Sequence, residues 1–325
     1  MKKFISLLTT LITVITLTPL SHAKEFKDIP ASHLAHVAIN YLSDAGILKG
    51  YADGTFQPDK LVNRVEALKV ILEEATTKLS EDTSGAAFKD TDPAQWYGKY
   101  LATAKGLGIV NGNPDGTFAP SSQVKRAAFM KMLLETNHFK KDKWGDQDYY
   151  KDVPKTAWYA PYMNYAGKSG LILPDVKGDL KPDQELTRAE VAEILYVMRV
   201  ILHGRDNQFL LGQSEAEMTQ IEIFVGAKNV AAAKRASELA VDMTQQALKN
   251  VPTNTIVLGA AKLAKAYGLV VDAFIAGIQK KMEDAKTLAN QAIVKADEAI
   301  VANKDITSIA QHIKDRAKEI LGQLK

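Results

Sequence analysis

The segment Gly50-Tyr-Ala-Asp-Gly-Thr-Phe56 returns 62 positions later as Gly112-Asn-Pro-Asp-Gly-Thr-Phe118. The same interval separates Phe26-Lys27-Asp28 from Phe88-Lys89-Asp90, and that stretch from Tyr150-Lys151-Asp152. A fixed period of this length is typical of a fold whose repeated units bury their apolar faces against one another. The sequence therefore predicts three tandem repeats.

Single residues keep this interval without an insertion or deletion. Trp96 is matched by Trp158, whereas the first repeat has Leu34 at that place. The other matches are two glycines, a proline and an arginine in every repeat: Gly46, Gly108, Gly170, Gly54, Gly116, Gly178, Pro58, Pro120, Pro182, Arg64, Arg126 and Arg188. We assign the repeats to residues 24–86, 87–148 and 149–203.

Each repeat has the pattern of a helix, a loop and a second helix. The first helices are predicted over residues 31–45, 93–107 and 158–169. Each ends at a glycine, the residue best able to take the left-handed conformation after a helix. An Asp-Gly turn follows in the first two repeats. The second helices are predicted to begin near Asn63, Lys125 and Thr187.

The start of the second helix carries the candidate functional residue. Thr187-Arg-Ala-Glu190 is typical of a capping box, and Asn63-Arg-Val-Glu66 can form the same reciprocal pair. An arginine nevertheless occupies the first helical position in every repeat, where the helix dipole disfavours a cation. A bound carboxylate would contact both the guanidinium and free backbone N–H groups at the helix end. We therefore predict anion binding by Arg64, Arg126 and Arg188, with a structural ion pair as the alternative.

These motifs resemble the S-layer homology domain over about residues 24–203. The resemblance rests on the Phe-x-Asp start, the glycine-containing Asp-Gly-x-Phe-x-Pro loop and the Thr-Arg-Ala-Glu helix start. It implies a mainly α fold in which three helix–loop–helix repeats form a pseudo-threefold spindle. It also implies binding of secondary cell-wall polysaccharide, with the motif arginines holding the carboxylate of a pyruvate ketal in grooves between repeats.

The repeats depart from the motif in different ways. Repeat 3 has Leu173-Pro-Asp-Val-Lys-Gly-Asp-Leu180, which lacks the counterpart of Gly50 and Gly112, where bare backbone could approach a sugar. Repeat 1 lacks the tryptophan, and repeat 2 has Ala128 in place of the glutamate. We expect one or two functional grooves rather than three equal ones.

The remaining candidate residues have more than one interpretation. Gly50 and Gly112 are expected to line the groove. Trp96 and Trp158 are more often packing anchors than sugar platforms, although a tryptophan can serve as both. Helix capping, rather than ligand contact, is expected for four residues: Asn63, Glu66, Thr187 and Glu190.

Composition limits the function classes. The chain has 325 residues, 41 Lys and Arg, 38 Asp and Glu, and a formal charge of +3, so nothing favours nucleic acid or an anionic membrane as partner. The absence of cysteine excludes disulfides, thiolate zinc sites and a thiol nucleophile. The stretch from Asn111 to Ser122 lacks the final glutamate of a calcium loop, and His33 and His36 have no third ligand. Neither a metal nor a cofactor is predicted.

Residues 1–23 have the three parts of an export signal. Two lysines precede an apolar run over about residues 4–17, and Ser21-His22-Ala23 resembles a cleavage site. The apolar run is too short for a comfortable membrane span, and no span is predicted in the mature chain. We therefore expect a secreted protein at the cell wall or S-layer surface.

Residues 204–325 differ in composition, being rich in alanine and lysine and nearly free of aromatic residues. Ser214-Glu-Ala-Glu217 is typical of a capping box and predicts a helix that runs to about residue 250. Further helical stretches are predicted over about 255–301 and 305–324. Together they favour an antiparallel bundle of three or four helices.

The segment from Ala266 to Ile278 is apolar nearly all round its helix. Burial inside the bundle is the favoured interpretation, with oligomerisation and reversible membrane insertion as alternatives. Lys262, Lys265 and Asp272 argue against a membrane span. Close helix contacts are predicted at three glycines: Gly259, Gly268 and Gly277.

Two hypotheses of function remain. The first is a non-enzymatic protein, anchored to the wall, whose helical module serves in envelope structure, adhesion or binding of envelope proteins or of itself. The second is a wall-remodelling hydrolase with an unfamiliar helical catalytic domain. The first is favoured because the sequence has no nucleophile elbow, no His-Glu-x-x-His motif and no carboxylate pair set on strands or loops.

Overall fold

A computed structural model describes residues 26–84 and 88–324, so the predicted export signal lies outside the described residues. The described residues form eleven α-helices and no extended strand, which confirms the mainly α fold. They divide into two compact units, residues 26–28 with 38–198 and residues 29–37 with 199–324.

The helix–loop–helix pattern of the repeats is confirmed. The first helices begin later than the sequence pattern predicts because short turns precede them, such as those closed by Gln95 N–H on Asp92 O and Gly98 N–H on Gln95 O. A short 3₁₀ turn spans Lys141–Lys143. The six helices are α1 (His36–Asp44), α2 (Arg64–Glu74), α3 (Gly98–Gly106), α4 (Arg126–Thr136), α5 (Ala160–Lys168) and α6 (Arg188–Leu202).

The three repeats meet in a cyclic set of backbone hydrogen bonds just before their second helices. The N–H of Val62 donates to Leu186 O at 3.0 Å, that of Leu186 to Val124 O at 3.1 Å, and that of Val124 to Val62 O at 2.9 Å. All three side chains are buried. Each repeat therefore contacts both others in the same way, as a pseudo-threefold arrangement requires.

The loop of each repeat is anchored by the large apolar residue that follows its turn. Phe56, Phe118 and Leu180 are fully buried. The Phe-Lys-Asp phenylalanines pack on the first two, with ring centroids 5.4 Å apart for Phe26–Phe56 and also for Phe88–Phe118. The recurring aromatic pair therefore joins the start of a repeat to its loop.

The C-terminal helical region has five helices, not three or four. Helix α9 packs against α8, α10 and α11, and α7 packs mainly on α8. The segment from Ala266 to Gly277 within α9 is largely buried, so it lies inside the bundle. The five helices are α7 (Asn207–Gly226), α8 (Val230–Asn250), α9 (Thr255–Ile278), α10 (Met282–Ala302) and α11 (Thr307–Gln323).

The predicted capping box at Ser214 is wrong. Ser214 lies inside α7, where its buried hydroxyl donates to Ala240 O at 3.3 Å. Helix α7 instead begins after Asp206, whose carboxylate accepts from the N–H of Phe209. The residue pattern of a capping box also occurs in helix interiors, and here the burial of the serine decides its role.

Two helices predicted as continuous are each split in two. Lys228 and Lys280 have φ values of 61° and 60°, in the left-handed region, and they follow the ends of α7 and α9. The residue that takes this conformation after a helix is usually glycine or asparagine. A lysine at this place therefore does not predict a helix end. Asn229 then caps α8 by accepting from the N–H of Ala232.

The fully buried residues of helix α10 are all alanines, while Leu288, Ile293 and Ile300 pack against the core as partly buried side chains. Its buried residues alternate at intervals of four and three, the spacing of a coiled-coil seam. Small side chains at that seam permit a close approach of α9, where a Cβ on Gly259 would lie 2.7 Å from the Cβ of Asn303. The buried alanines are Ala285, Ala289, Ala292, Ala296 and Ala299.

No helix in residues 26–84 and 88–324 is both long enough and apolar enough to cross a membrane.

Candidate anion-binding site

The aspartate of each Phe-Lys-Asp or Tyr-Lys-Asp start fixes the backbone of the loop. Asp90 accepts two hydrogen bonds of 2.7 Å, one from the N–H of Phe118 and one from the N–H of Ala119. Ala119 has φ 57°, a conformation that costs energy in any residue except glycine. The carboxylate therefore holds a strained turn in place, and Asp28 and Asp152 bind their own loops in the same way.

The motif arginine of each repeat reaches the carbonyl group of that same loop in the next repeat. Arg64 Nε donates to Phe118 O, Arg126 Nη1 to Leu180 O, and Arg188 Nε to Phe56 O, each at 2.8 Å. The contacts run from repeat 1 to 2, from 2 to 3 and from 3 back to 1. The arginines therefore line three boundaries between repeats and also help to close the ring.

The N–H groups of the first two residues of each second helix are not free, so the sequence prediction of free N–H groups is wrong at those positions. The N–H of Arg64 donates to Ser122 O at 3.0 Å, and the N–H of Val65 donates to Pro120 O at 3.3 Å. The other two repeats form equivalent bonds. The cyclic packing brings carbonyl groups of the next repeat to the first two N–H groups of each helix, so these two groups do not bind a ligand.

The capping residues have the predicted arrangement in two repeats. Asn63 and Glu66 form a reciprocal pair at the start of α2. At α6 the N–H of Thr187 donates to Glu190 at 2.9 Å, and the N–H of Glu190 donates to the Thr187 hydroxyl at 3.2 Å. Helix α4 has no side-chain cap at Lys125.

Arg64 and Arg188 lie over aromatic rings. The guanidinium carbon of Arg64 is 4.5 Å from the centroid of Phe118, and that of Arg188 is 4.3 Å from the centroid of Phe56. Arg188 also donates from Nη2 to Lys49 O at 2.8 Å. The two terminal nitrogens of Arg64 donate to no acceptor in the part of the chain that the structure describes.

Arg126 has the ion pair that the sequence left open as the alternative. Its Nη2 lies 3.0 Å from Glu190 Oε1, and only 12% of its side chain is exposed. It has no ring beneath it, because Leu180 stands where the other loops have phenylalanine. Its Nε is buried without a hydrogen-bond partner, an arrangement that typically costs about 1–3 kcal/mol.

The three arginines also differ in the charged groups that surround them. Burial lowers the pKa of all three, and for Arg64 the carboxylate of Asp90 is the one group that counters this. Burial also lowers the pKa of Lys131, and the nearby charge of Arg64 contributes to the lowering. Lys131 therefore adds a second cation near Arg64 at the boundary between repeats 1 and 2, whereas Arg126 is paired with Glu190.

Packing explains why glycine is needed at positions 50 and 112, which the sequence did not predict. A Cβ on Gly50 would lie 2.2 Å from the ring of Phe26, and one on Gly112 would lie 2.4 Å from the ring of Phe88. Gly112 also has φ 78°. The space on the Cβ side of each glycine is therefore filled by an aromatic ring, and a role of the glycine backbone in lining the groove stays a prediction.

The two motif tryptophans are about half exposed, and their roles as packing anchors or as sugar platforms stay predictions. Trp96 is 53% exposed and Trp158 is 59% exposed. Each ring has an edge contact with the following tyrosine, Tyr97 or Tyr159. A platform for sugar rings is consistent with this exposure.

The aspartates mark the start of each repeat in the sequence, but no role for them is predicted there. The available signal was an aspartate that follows an aromatic residue by two positions in all three repeats. The strained residues Gln57, Ala119 and Lys181 share no residue type, so the sequence gives no sign of them. Among residues 26–84 and 88–324 there is no group of three or more His, Cys, Asp or Glu residues arranged to hold a metal ion.

Three similar repeats packed in a ring, with an arginine at each boundary, define a repeat domain of the cyclic type. Comparison with known families identifies this domain. The S-layer homology domain matches residues 25–68, 87–130 and 149–192, at the three positions of the repeat. The chain therefore contains three tandem S-layer homology domains, as the sequence motifs predicted.

Similar proteins come from bacterial surfaces. An S-layer protein of Bacillus licheniformis is 29% identical over 172 residues, which are 53% of this chain and 19% of that protein. A cellulosome-anchoring protein of Acetivibrio thermocellus is 36% identical over 111 residues, 33% of this chain and 25% of that protein. An uncharacterised cell wall amidase of Bacillus anthracis is 28% identical over 176 residues, 54% of this chain and 32% of that protein.

The chain thus aligns with about a fifth to a third of the length of these relatives. Its S-layer homology domains and its S-layer and anchoring relatives indicate a secreted, cell-wall-associated surface protein. They also support anchoring at the cell surface as its general role.

Proposed function

We propose that the repeats bind secondary cell-wall polysaccharide and hold the protein on the wall without a covalent bond, and that Arg64 is the main ligand contact. One observation carries the proposal. The Arg64 guanidinium is fixed by Phe118 at 2.8 Å, yet its two terminal nitrogens have no partner among the described residues. This arrangement leaves a rigid fork of N–H donors that matches a planar carboxylate.

A pyruvate ketal on a terminal sugar supplies such a carboxylate. Lys131, whose Nζ donates to Ile109 O at 3.1 Å, adds a second positive charge near the fork. The exposed ring of Trp96 or Trp158 is suited to the apolar face of a neighbouring sugar. Arg188 would form a weaker second site, because Lys49 O already uses one of its terminal nitrogens.

In this proposal the repeats over residues 24–86, 87–148 and 149–203 form the anchor. Residues 204–325 are the module that the anchor displays, following export by the signal at residues 1–23. The displayed helices would serve in envelope structure or in contact with envelope proteins or a second copy of the chain. The module needs no catalytic activity for this role.

The test is co-sedimentation of the purified protein with isolated cell wall. Arg64→Ala is expected to lower binding at least about tenfold, because a charged, preorganised hydrogen-bond pair is lost. Chemical removal of pyruvate from the wall should have the same effect. Lys125→Ala is the matched control, since Lys125 precedes α4 and its exposed side chain pairs only with Asp183. Full binding by folded Arg64→Ala would contradict the proposal.

A wall-remodelling hydrolase is the second candidate, and the amidase relative is the observation that favours it. In the helical module, Glu298 is ion-paired with Lys262 and Asp297 with Lys314. Clearing of a peptidoglycan suspension by the full chain would support the hydrolase. An unchanged turbidity would support the anchor alone.

A further inference from the structure

The arginine boundaries differ at the third residue of the second helix in the next repeat, and at the Arg188 boundary this residue is Glu66. At the boundary between repeats 2 and 3 this residue is Glu190, and it contacts Arg126. The 62-residue period places Ala128 at the corresponding position opposite Arg64. Arg64 donates to Phe118 O and Arg126 donates to Leu180 O, and in both cases the acceptor lies 54 residues after the arginine. The residues of the two boundaries therefore correspond one to one.

The carboxylate of Glu190 is held where a ligand carboxylate would lie on Arg126. Its Oε1 atom accepts from Arg126 Nη2 at 3.0 Å and from the side-chain amide of Gln184, while Oε2 accepts from the N–H of Thr187. Three donors thus fix its position. Arg126 therefore has no nitrogen left to bind a ligand. One terminal nitrogen donates to Leu180 O, the other donates to Glu190, and Nε is buried.

We propose that Glu190 is a specificity-determining residue, whose carboxylate takes the place of an anionic ligand on Arg126. The boundary between repeats 2 and 3 then rejects the pyruvylated sugar that the boundary at Arg64 accepts. Ala128 is the counterpart that leaves Arg64 open. This inference rests on the proposed function, and it explains why the repeats need not bind equally although all three keep the arginine.

The test exchanges the two residues in the full-length protein. The probe is a methyl hexoside with a pyruvate ketal bridging two of its hydroxyls, and binding is measured by calorimetry. In an Arg64→Ala background, which removes the open site, Glu190→Ala is expected to restore binding to within about tenfold of wild type. Adding Arg126→Ala should abolish the restored binding. In the wild-type background, Ala128→Glu should weaken binding at least about tenfold.

Two controls separate charge from folding. Thr187→Ala in the Arg64→Ala background removes the same helix cap but keeps the carboxylate on Arg126, so no binding should return. Every variant must retain a cooperative thermal unfolding transition. The same hexoside without the ketal should not bind to any variant.

The outcomes distinguish the two proposals. If Arg64→Ala weakens binding of the probe at least about tenfold, but folded Arg64→Ala/Glu190→Ala binds no better than Arg64→Ala, the role of Glu190 is wrong and the proposed function stands. If neither the wild type nor Glu190→Ala binds the probe, the proposed function is wrong and the inference falls with it. Undiminished binding by folded Ala128→Glu would also overturn the inference.

Discussion

Arg188 Nε donates a hydrogen bond of 2.8 Å to the carbonyl oxygen of Phe56, which joins the last repeat to the first. The N–H of Phe56 is held in turn by Asp28 at 2.7 Å. One loop residue is therefore fixed from two sides, by the aspartate of its own repeat and by the arginine of another. The groups proposed to bind polysaccharide are thus also groups that assemble the domain.

Removal of Arg188 should destabilise the repeats although the side chain is partly exposed. Arg188→Ala loses two hydrogen bonds to carbonyl groups and the contact with the Phe56 ring. We expect the free energy of unfolding to fall by about 1–3 kcal/mol. Urea unfolding followed by tryptophan fluorescence measures this, since all three tryptophans lie in the repeats.

The control for Arg188 is Lys177→Ala in the exposed loop of repeat 3. Its side chain forms no ion pair in the structure, so the expected change is within about 0.5 kcal/mol. Equal effects of the two substitutions would show that Arg188 contributes nothing to ring closure.

Relief of strain at Ala119 should stabilise the protein. The residue has φ 57°, which glycine adopts without a steric penalty. Ala119→Gly is expected to raise the free energy of unfolding by about 0.5–1 kcal/mol after the larger chain entropy of glycine is subtracted. Ala128→Gly, the same exchange within helix α4, should lower it by about 1 kcal/mol. Urea unfolding of both variants measures these changes, which should have opposite signs. A lower free energy of unfolding in both variants would contradict the role of strain at Ala119.

The sequence predicts the repeats well because their signals are local and occur three times. The second helices begin where the residue pattern at Asn63, Lys125 and Thr187 places them. What the sequence cannot give is the identity of the partner across a boundary. Nothing near Arg126 in the chain points to Glu190, and nothing near Val65 shows that Pro120 O occupies its N–H.

The helical region was predicted less well for a related reason. Its helix breaks at Lys228 and Lys280 depend on a backbone conformation that lysine rarely takes. The pattern at Ser214 matched a helix start, but tertiary burial placed that serine in a helix interior. In both cases packing between helices outweighed the local preference of the residues.

Two glycines of helix α9 should respond in opposite ways to alanine. A Cβ on Gly259 would lie 2.7 Å from Asn303 Cβ, whereas one on Gly268 meets only Val241 at 3.8 Å, an ordinary contact. Gly259→Ala should therefore destabilise the bundle by about 1–3 kcal/mol, and Gly268→Ala should stabilise it by up to about 1 kcal/mol. Thermal unfolding followed by circular dichroism measures both. A gain in stability from Gly259→Ala would show that α9 and α10 are not in close contact there.

The stability of the bundle should depend on pH through Glu222. Burial alone would raise the pKa of this carboxyl, but bonds from His312 and Tyr267 and the charge of Arg316 outweigh it and lower the pKa below its ordinary value of 4.5. The Tyr267 hydroxyl donates at 2.7 Å, and Arg316 Nε lies 3.3 Å away. An acid with a lowered pKa in the folded state adds stability above its unfolded pKa and loses it as the pH falls through the folded value.

Glu222→Gln should therefore lower the free energy of unfolding by about 1–3 kcal/mol at neutral pH, because the ionised partner of Arg316 is lost. The difference from wild type should persist down to about pH 5 and shrink as the pH falls below the ordinary Glu value of 4.5. Urea unfolding of both proteins across this range, followed by circular dichroism, gives the difference directly. Glu319→Gln is the comparison, since Glu319 pairs with Arg316 nearer the surface. A difference that stays constant with pH would mean that the ionisation of Glu222 does not stabilise the bundle.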